Sequence, residues 1–161
     1  MPSNESVRKS LAKDLDLIAE RLESAQIVAD AGPIRAAAAE CRRDRGDRWR
    51  YELSRLRFTQ LGNLKFKPNG IYPIAIELTV LVEGFCSPNG NDPLSKLAVD
   101  ILLYGERRRE GQENKIPVAY GWHIDKHYQE EGDGAPEFLH PTYHFQAGGN
   151  KIQEFIEEGG D

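Results

Sequence analysis

The chain has 161 residues, a formal net charge of −5 and 39% hydrophobic residues. That composition is ordinary for a folded domain, and it excludes collagenous, low-complexity and disulfide-scaffold classes. The sequence has no apolar run of about 20 residues, and Met1-Pro2-Ser3-Asn4 is a polar start, so the expectation is a cytoplasmic protein with no membrane partner.

One domain is expected over 1–161, because a chain of this length buries roughly 70% of its unfolded surface. Its parts are a helical segment 5–46, a sheet 47–147 and a C-terminal helix 150–158. The fold class expected is α+β, with an N-terminal helix pair packed on an antiparallel sheet of four to five strands.

In chain order, Leu11, Leu15, Ile18, Leu22 and Ala25 form one apolar stripe at helical spacing. Ser3 or Asn4 is positioned to cap this helix, and Gly32-Pro33 ends it and opens a second. The second helix carries Ala36–Ala39 and ends near Arg43–Gly46. Trp49, Tyr51 and Leu53 alternate with polar residues as a strand does, and the register is open after Arg55. Lys67-Pro68-Asn69-Gly70 is a turn. The clearest strand holds Tyr72, Ile74, Ile76, Leu78, Val80 and Val82, and another runs from Leu97 to Tyr104. Cys41 and Cys86 are far apart and expected as free thiols.

All four histidines fall in one window: His123, His127, His140 and His144. From Ile116 to Tyr128, the even positions Ile116, Val118, Tyr120, Trp122 and Ile124 are apolar, and odd positions include His123, Asp125 and His127. From His140 to Ala147, Thr142, His144 and Gln146 share a face with His140. If the two strands pair with both apolar faces on the core, the polar faces coincide. A symmetric connection would oppose His123 to His144, Asp125 to Thr142 and His127 to His140. A slip of two residues keeps the patch, and a slip of one destroys it. Glu77 or Asp100 is placed to join it from preceding strands.

Such a patch has two chemical uses. Paired histidines serve as general base and general acid near neutral pH, with Asp125 orienting an imidazole and Thr142 touching a phosphate oxygen. The candidate catalytic set is therefore His123, His127, His140, His144, Asp125 and Thr142. Alternatively, His123, Asp125 and His127 can ligate a divalent metal such as Zn²⁺, Mn²⁺ or Fe²⁺. Between Arg42 and Lys67 stand nine basic residues, and Arg43, Arg48 and Arg50, with Tyr128, are candidates for phosphate or nucleic-acid contact. Acidic residues crowd Gln129–Asp161, so an ordinary charge-balanced surface is the competing reading of the basic run.

His140-Pro141-Thr142 is similar to the His-x-Thr element of two-histidine phosphoesterases. His140, Pro141 and His144 resemble the C-terminal His-Pro-x-x-His strand of small bacterial toxin-type and defence-island proteins, a likeness over about a fifth of the chain. That resemblance implies a toxin or antiviral-defence effector. The expected function is a histidine-dependent phosphodiesterase or ribonuclease acting on RNA. The alternatives are a metal-dependent hydrolase using the His/Asp cluster, and a non-catalytic subunit of a multi-protein defence assembly. That subunit would dock through the N-terminal helix or the acidic C-terminus.

Overall fold

The computed structural model describes residues 3–43, 46–58, 71–86, 93–108, 115–126 and 143–148. Helix α1 spans Asn4–Ser24 and α2 spans Gly32–Arg43. Five strands follow: β1 Arg48–Phe58, β2 Ile71–Phe85, β3 Leu94–Arg108, β4 Lys115–Lys126 and β5 Tyr143–Ala147. They form one antiparallel sheet in the order β1-β2-β3-β4-β5. The α+β architecture expected from the sequence is present. The expected C-terminal helix 150–158 and the Lys67–Gly70 turn lie outside the described residues.

Ser3 is the cap of α1, and its hydroxyl accepts from the Ser6 N–H at 3.2 Å. The buried face of α1 is not centred on the sequence stripe. Arg8, Ala12, Leu15 and Ala19 are buried, whereas Ile18 is 47% exposed. The physical reason is packing against α2, which presents Ala37 and Ala38. Small side chains on both helices fill this contact, so the rotation that buries Ala12 and Ala19 turns Ile18 outward. Leu11 and Leu22 remain at the edge of the core.

Strand β1 resolves the register left open after Arg55. Leu53 pairs with Val80 and Leu56 with Leu78, so the strand bulges between them. Arg55 sits in the bulge at φ 53°, a left-handed conformation uncommon outside glycine. The extra residue switches inward positions from Trp49, Tyr51 and Leu53 to Leu56 and Phe58, which all join the cores under the helices.

The alternation of β2 divides the sheet into two faces. Leu78, Val80 and Val82 pack under the helix pair. Glu77, Thr79 and Glu83 point the other way, and cross-strand pairing carries that polar face to Asp100, His123 and Asp125. On the polar face Glu77 is buried, 7% exposed, and held by Arg57 at 3.1 Å and Arg55 at 3.5 Å. Cys41 and Cys86 are free and buried, as expected. Arg8, also buried, donates to Gly46 O at 2.6 Å and meets Cys86 Sγ at 3.7 Å, which ties α1 to the chain on either side of the sheet's first hairpin.

Candidate acid–base site

Three neighbouring strands build the site. β3 contributes Asp100, β4 contributes His123 and Asp125, and β5 contributes His144. Asp100 pairs directly with His123, and Asp125 pairs directly with His144. The β4–β5 register is therefore two residues away from the symmetric pairing: His123 faces Gln146, and not His144. Slippage by an even number preserves side-chain direction, so the polar faces still coincide.

The four side chains form an alternating chain of carboxylates and imidazoles. Asp100 Oδ1 lies 2.8 Å from His123 Nδ1, and His123 Nε2 lies 3.1 Å from Asp125 Oδ2. Asp125 Oδ1 lies 2.6 Å from His144 Nδ1. The two imidazole rings are 6.3 Å apart and tilted by 59°. All four residues are partly shielded from solvent.

His123 has an acidic partner on both ring nitrogens, an arrangement that favours the doubly donating imidazolium. Burial works against that charge. The hydrogen bonds to Asp100 and Asp125, with their negative charges, outweigh it and raise the His123 pKa above the ordinary 6.5. A cation bound on both sides is poorly placed to exchange protons. His144 is held through Nδ1, so any proton exchange with a substrate falls to its Nε2.

The structure thus brings together His123, Asp125 and His144, and adds Asp100. Glu77, the other acid considered from the sequence, is instead bound to Arg55 and Arg57. His127, His140, Thr142 and Tyr128 lie outside the described residues. So does the third member of the His123, Asp125, His127 metal set. His123 Nε2 and Asp125 Oδ2 contact each other, and a metal would have to part them. Among the described residues no group of three or more His, Cys, Asp or Glu is arranged to hold a metal ion.

The basic segment is largely balanced by its own neighbours. Arg50 reaches Glu40 at 3.6 Å, Glu52 at 3.3 Å and Glu83 at 3.7 Å. Arg42 pairs with Asp16. Arg48 lies over the Phe85 ring, 5.1 Å from its centroid, and Arg43 Nε donates to Ala39 O at the end of α2. Arg48 and Arg50 share the polar face with the histidines but stand on β1, three strands from β4, about 14 Å away at ordinary strand spacing. Among the described residues no helix is long and apolar enough to cross a membrane.

Comparison with protein-family models, curated proteins and solved structures finds no match.

Proposed function

We propose that the protein is a metal-independent, histidine-dependent phosphodiesterase whose substrate is RNA, with His144 as the working acid–base group. The observation that carries this reading is the position of Asp125, which contacts both imidazoles and is itself braced through His123 by Asp100. Asp125 holds the Nδ1 side of His144 and so assigns the base role to Nε2. His123 braces the other oxygen of Asp125.

In the reaction, His144 Nε2 takes the proton of a ribose 2′-OH. The 2′-oxygen attacks the adjacent phosphorus, the bond from phosphorus to the 5′-oxygen breaks, and a 2′,3′-cyclic phosphate results. A second histidine, His127 or His140, protonates the departing 5′-oxygen. His127 follows β4 directly in sequence and His140 stands three positions before β5. Thr142 contacts a phosphate oxygen. The toxin or defence role implied by the His140-Pro141-x-x-His144 resemblance belongs to this same reading.

The test is cleavage of a short single-stranded RNA in excess chelator, beside the same oligonucleotide with one 2′-deoxy residue at the scissile position. Cleavage of the first with a cyclic-phosphate product, and none at the deoxy position, is expected. Activity that requires added metal would transfer the reading to a metal-dependent hydrolase.

A second reading, a non-catalytic subunit of an assembly, is favoured by the internal pairing of Arg50 and Arg42, which leaves less positive surface for a polyanion. Undetectable RNA binding at low salt, together with a stable co-purifying protein, would support it.

A further inference from the structure

The arginines of β1 are paired differently along the strand. Arg50 meets three carboxylates, those of Glu40, Glu52 and Glu83. At Glu77 the ratio is reversed, because Arg55 at 3.5 Å and Arg57 at 3.1 Å converge on one carboxylate. Glu77 is buried, and a buried carboxylate needs a cationic partner. One guanidinium supplies that charge. The second brings a positive charge that Glu77 does not require.

Arg57 has the donors to take an outside ligand. Its hydrogen bond to Glu77 comes from Nε, and its Nη groups donate to nothing among the described residues. Its side chain is 53% exposed. Glu77 thus fixes the guanidinium through Nε and leaves the Nη1–Nη2 edge unused among these residues. That edge presents two parallel N–H donors, the geometry that matches a pair of phosphate oxygens.

The backbone puts this group on the histidine face. Before the bulge, Arg50 and Glu52 point away from the helices; after it, Arg57 takes that direction and pairs across with Glu77. The switch of parity depends on the left-handed Arg55, at φ 53°. Such strain persists only where the surrounding structure imposes it, and it gathers at functional sites. From Glu77 the polar face continues through Leu102 to Gly121, and its next row is Thr79, Asp100 and His123. At ordinary spacings His123 stands about 10 Å across the sheet from Glu77 and about 7 Å along it.

We propose that Arg57, oriented by Glu77, holds a backbone phosphate of the RNA strand, a few nucleotides from the bond on which His144 acts. That the strand is RNA rests on the function proposed above; the anion site itself rests on Arg55, Arg57 and Glu77. A single strand crossing the polar face from β5 toward β1 puts one phosphate at His144 and another at Arg57. No proton passes through this arginine. It contributes affinity and fixes where along the strand the histidines meet the RNA.

The test is fluorescence anisotropy of a short, labelled, all-2′-deoxy oligonucleotide with the full chain in excess chelator, at two salt concentrations. This probe carries the same phosphates and has no 2′-OH, so binding is read without cleavage and the subsite can fail while the catalytic reading stands. Arg57→Ala should weaken binding several-fold and lower the log–log salt slope by about 0.7, the share of one phosphate contact on a single strand. Arg35→Ala removes the same charge from α2, where Arg35 pairs with Glu23, and should change neither quantity. In the wild type, the Arg57 Nε–H signal in an NMR spectrum should shift as the oligonucleotide is added. Equal affinity and slope in Arg57→Ala and wild type would overturn the proposal, as would an equal loss in Arg35→Ala. No binding by the wild type at low salt, or an Arg57 signal that stays in place on saturation, would overturn it whether or not Arg57→Ala folds.

Discussion

Asp125 and His144 face each other across β4 and β5, with Asp125 Oδ1 2.6 Å from His144 Nδ1. This pairing separates the two imidazoles by role. Asp125 meets His144 at Nδ1 and His123 at Nε2, and Asp100 meets His123 at Nδ1.

Asp125 is therefore a positioning residue for His144. Asp125→Asn is expected to lower kcat on RNA on the order of 10²-fold or more while leaving KM nearly unchanged, because an amide can hold the wrong tautomer. The pH–rate profile should shift as well. A change confined to KM, or a loss of folded protein without a kinetic signature, would show that Asp125 acts elsewhere.

His123 makes stability depend on pH. A histidine whose folded pKa lies above its unfolded value of 6.5 contributes stability that is complete below that value and lost as pH rises through the folded one. Thermal midpoints should therefore fall as pH rises above 6.5, and this component should vanish in His123→Gln. In an NMR titration the His123 ring should titrate above 6.5, and Asp100→Asn should bring its midpoint down. A wild-type midpoint at or below 6.5 would mean the two carboxylates do not hold the charge.

Much of this site can be read from strand parity. Alternation through Ile116–Ile124 and Tyr143–Ala147 puts His123, Asp125 and His144 on one polar face whichever even register is adopted. The register itself is not in the pattern, because pairing His144 with His123 or with Asp125 keeps the apolar faces together equally well. Asp100 depends on where β3 meets β4, and only the Asp100–His123 pairing selects it over Glu77. The helix stripe misleads for a different reason. Hydrophobic spacing favours large residues, whereas the α1–α2 contact is built from alanines. The bulge at Arg55 has no sequence signal, since arginine rarely occupies a left-handed conformation.

Gly84 gives a direct check on packing at the sheet's end. A Cβ built there would stand 2.4 Å from Trp49 Cζ2 and 2.6 Å from Pro93 O. Gly84→Ala should destabilise the protein by about 1–3 kcal/mol, the usual effect of overpacking. Urea denaturation measures this, and an unchanged midpoint would place Trp49 elsewhere.

Arg55 tests the bulge. Arg55→Gly relieves the left-handed strain and removes an ion pair whose arginine is solvent-exposed, two effects of about 1 kcal/mol and opposite sign, so stability should stay within about 1 kcal/mol of wild type. Arg55→Val should be less stable than Arg55→Gly by about 1–2 kcal/mol, because a β-branched residue is poorly tolerated at positive φ. Equal stabilities of the two variants in denaturant melts would argue for an unbulged strand.

The most direct measurement of the catalytic proposal is the single-turnover rate of RNA cleavage in excess chelator by wild type and by His144→Ala. Wild type should cleave, and His144→Ala should be slower by about 10²–10⁴-fold with an unchanged thermal midpoint, as loss of a general base requires. Wild-type cleavage that survives His144→Ala at full rate would contradict the assignment of His144 as the acid–base group.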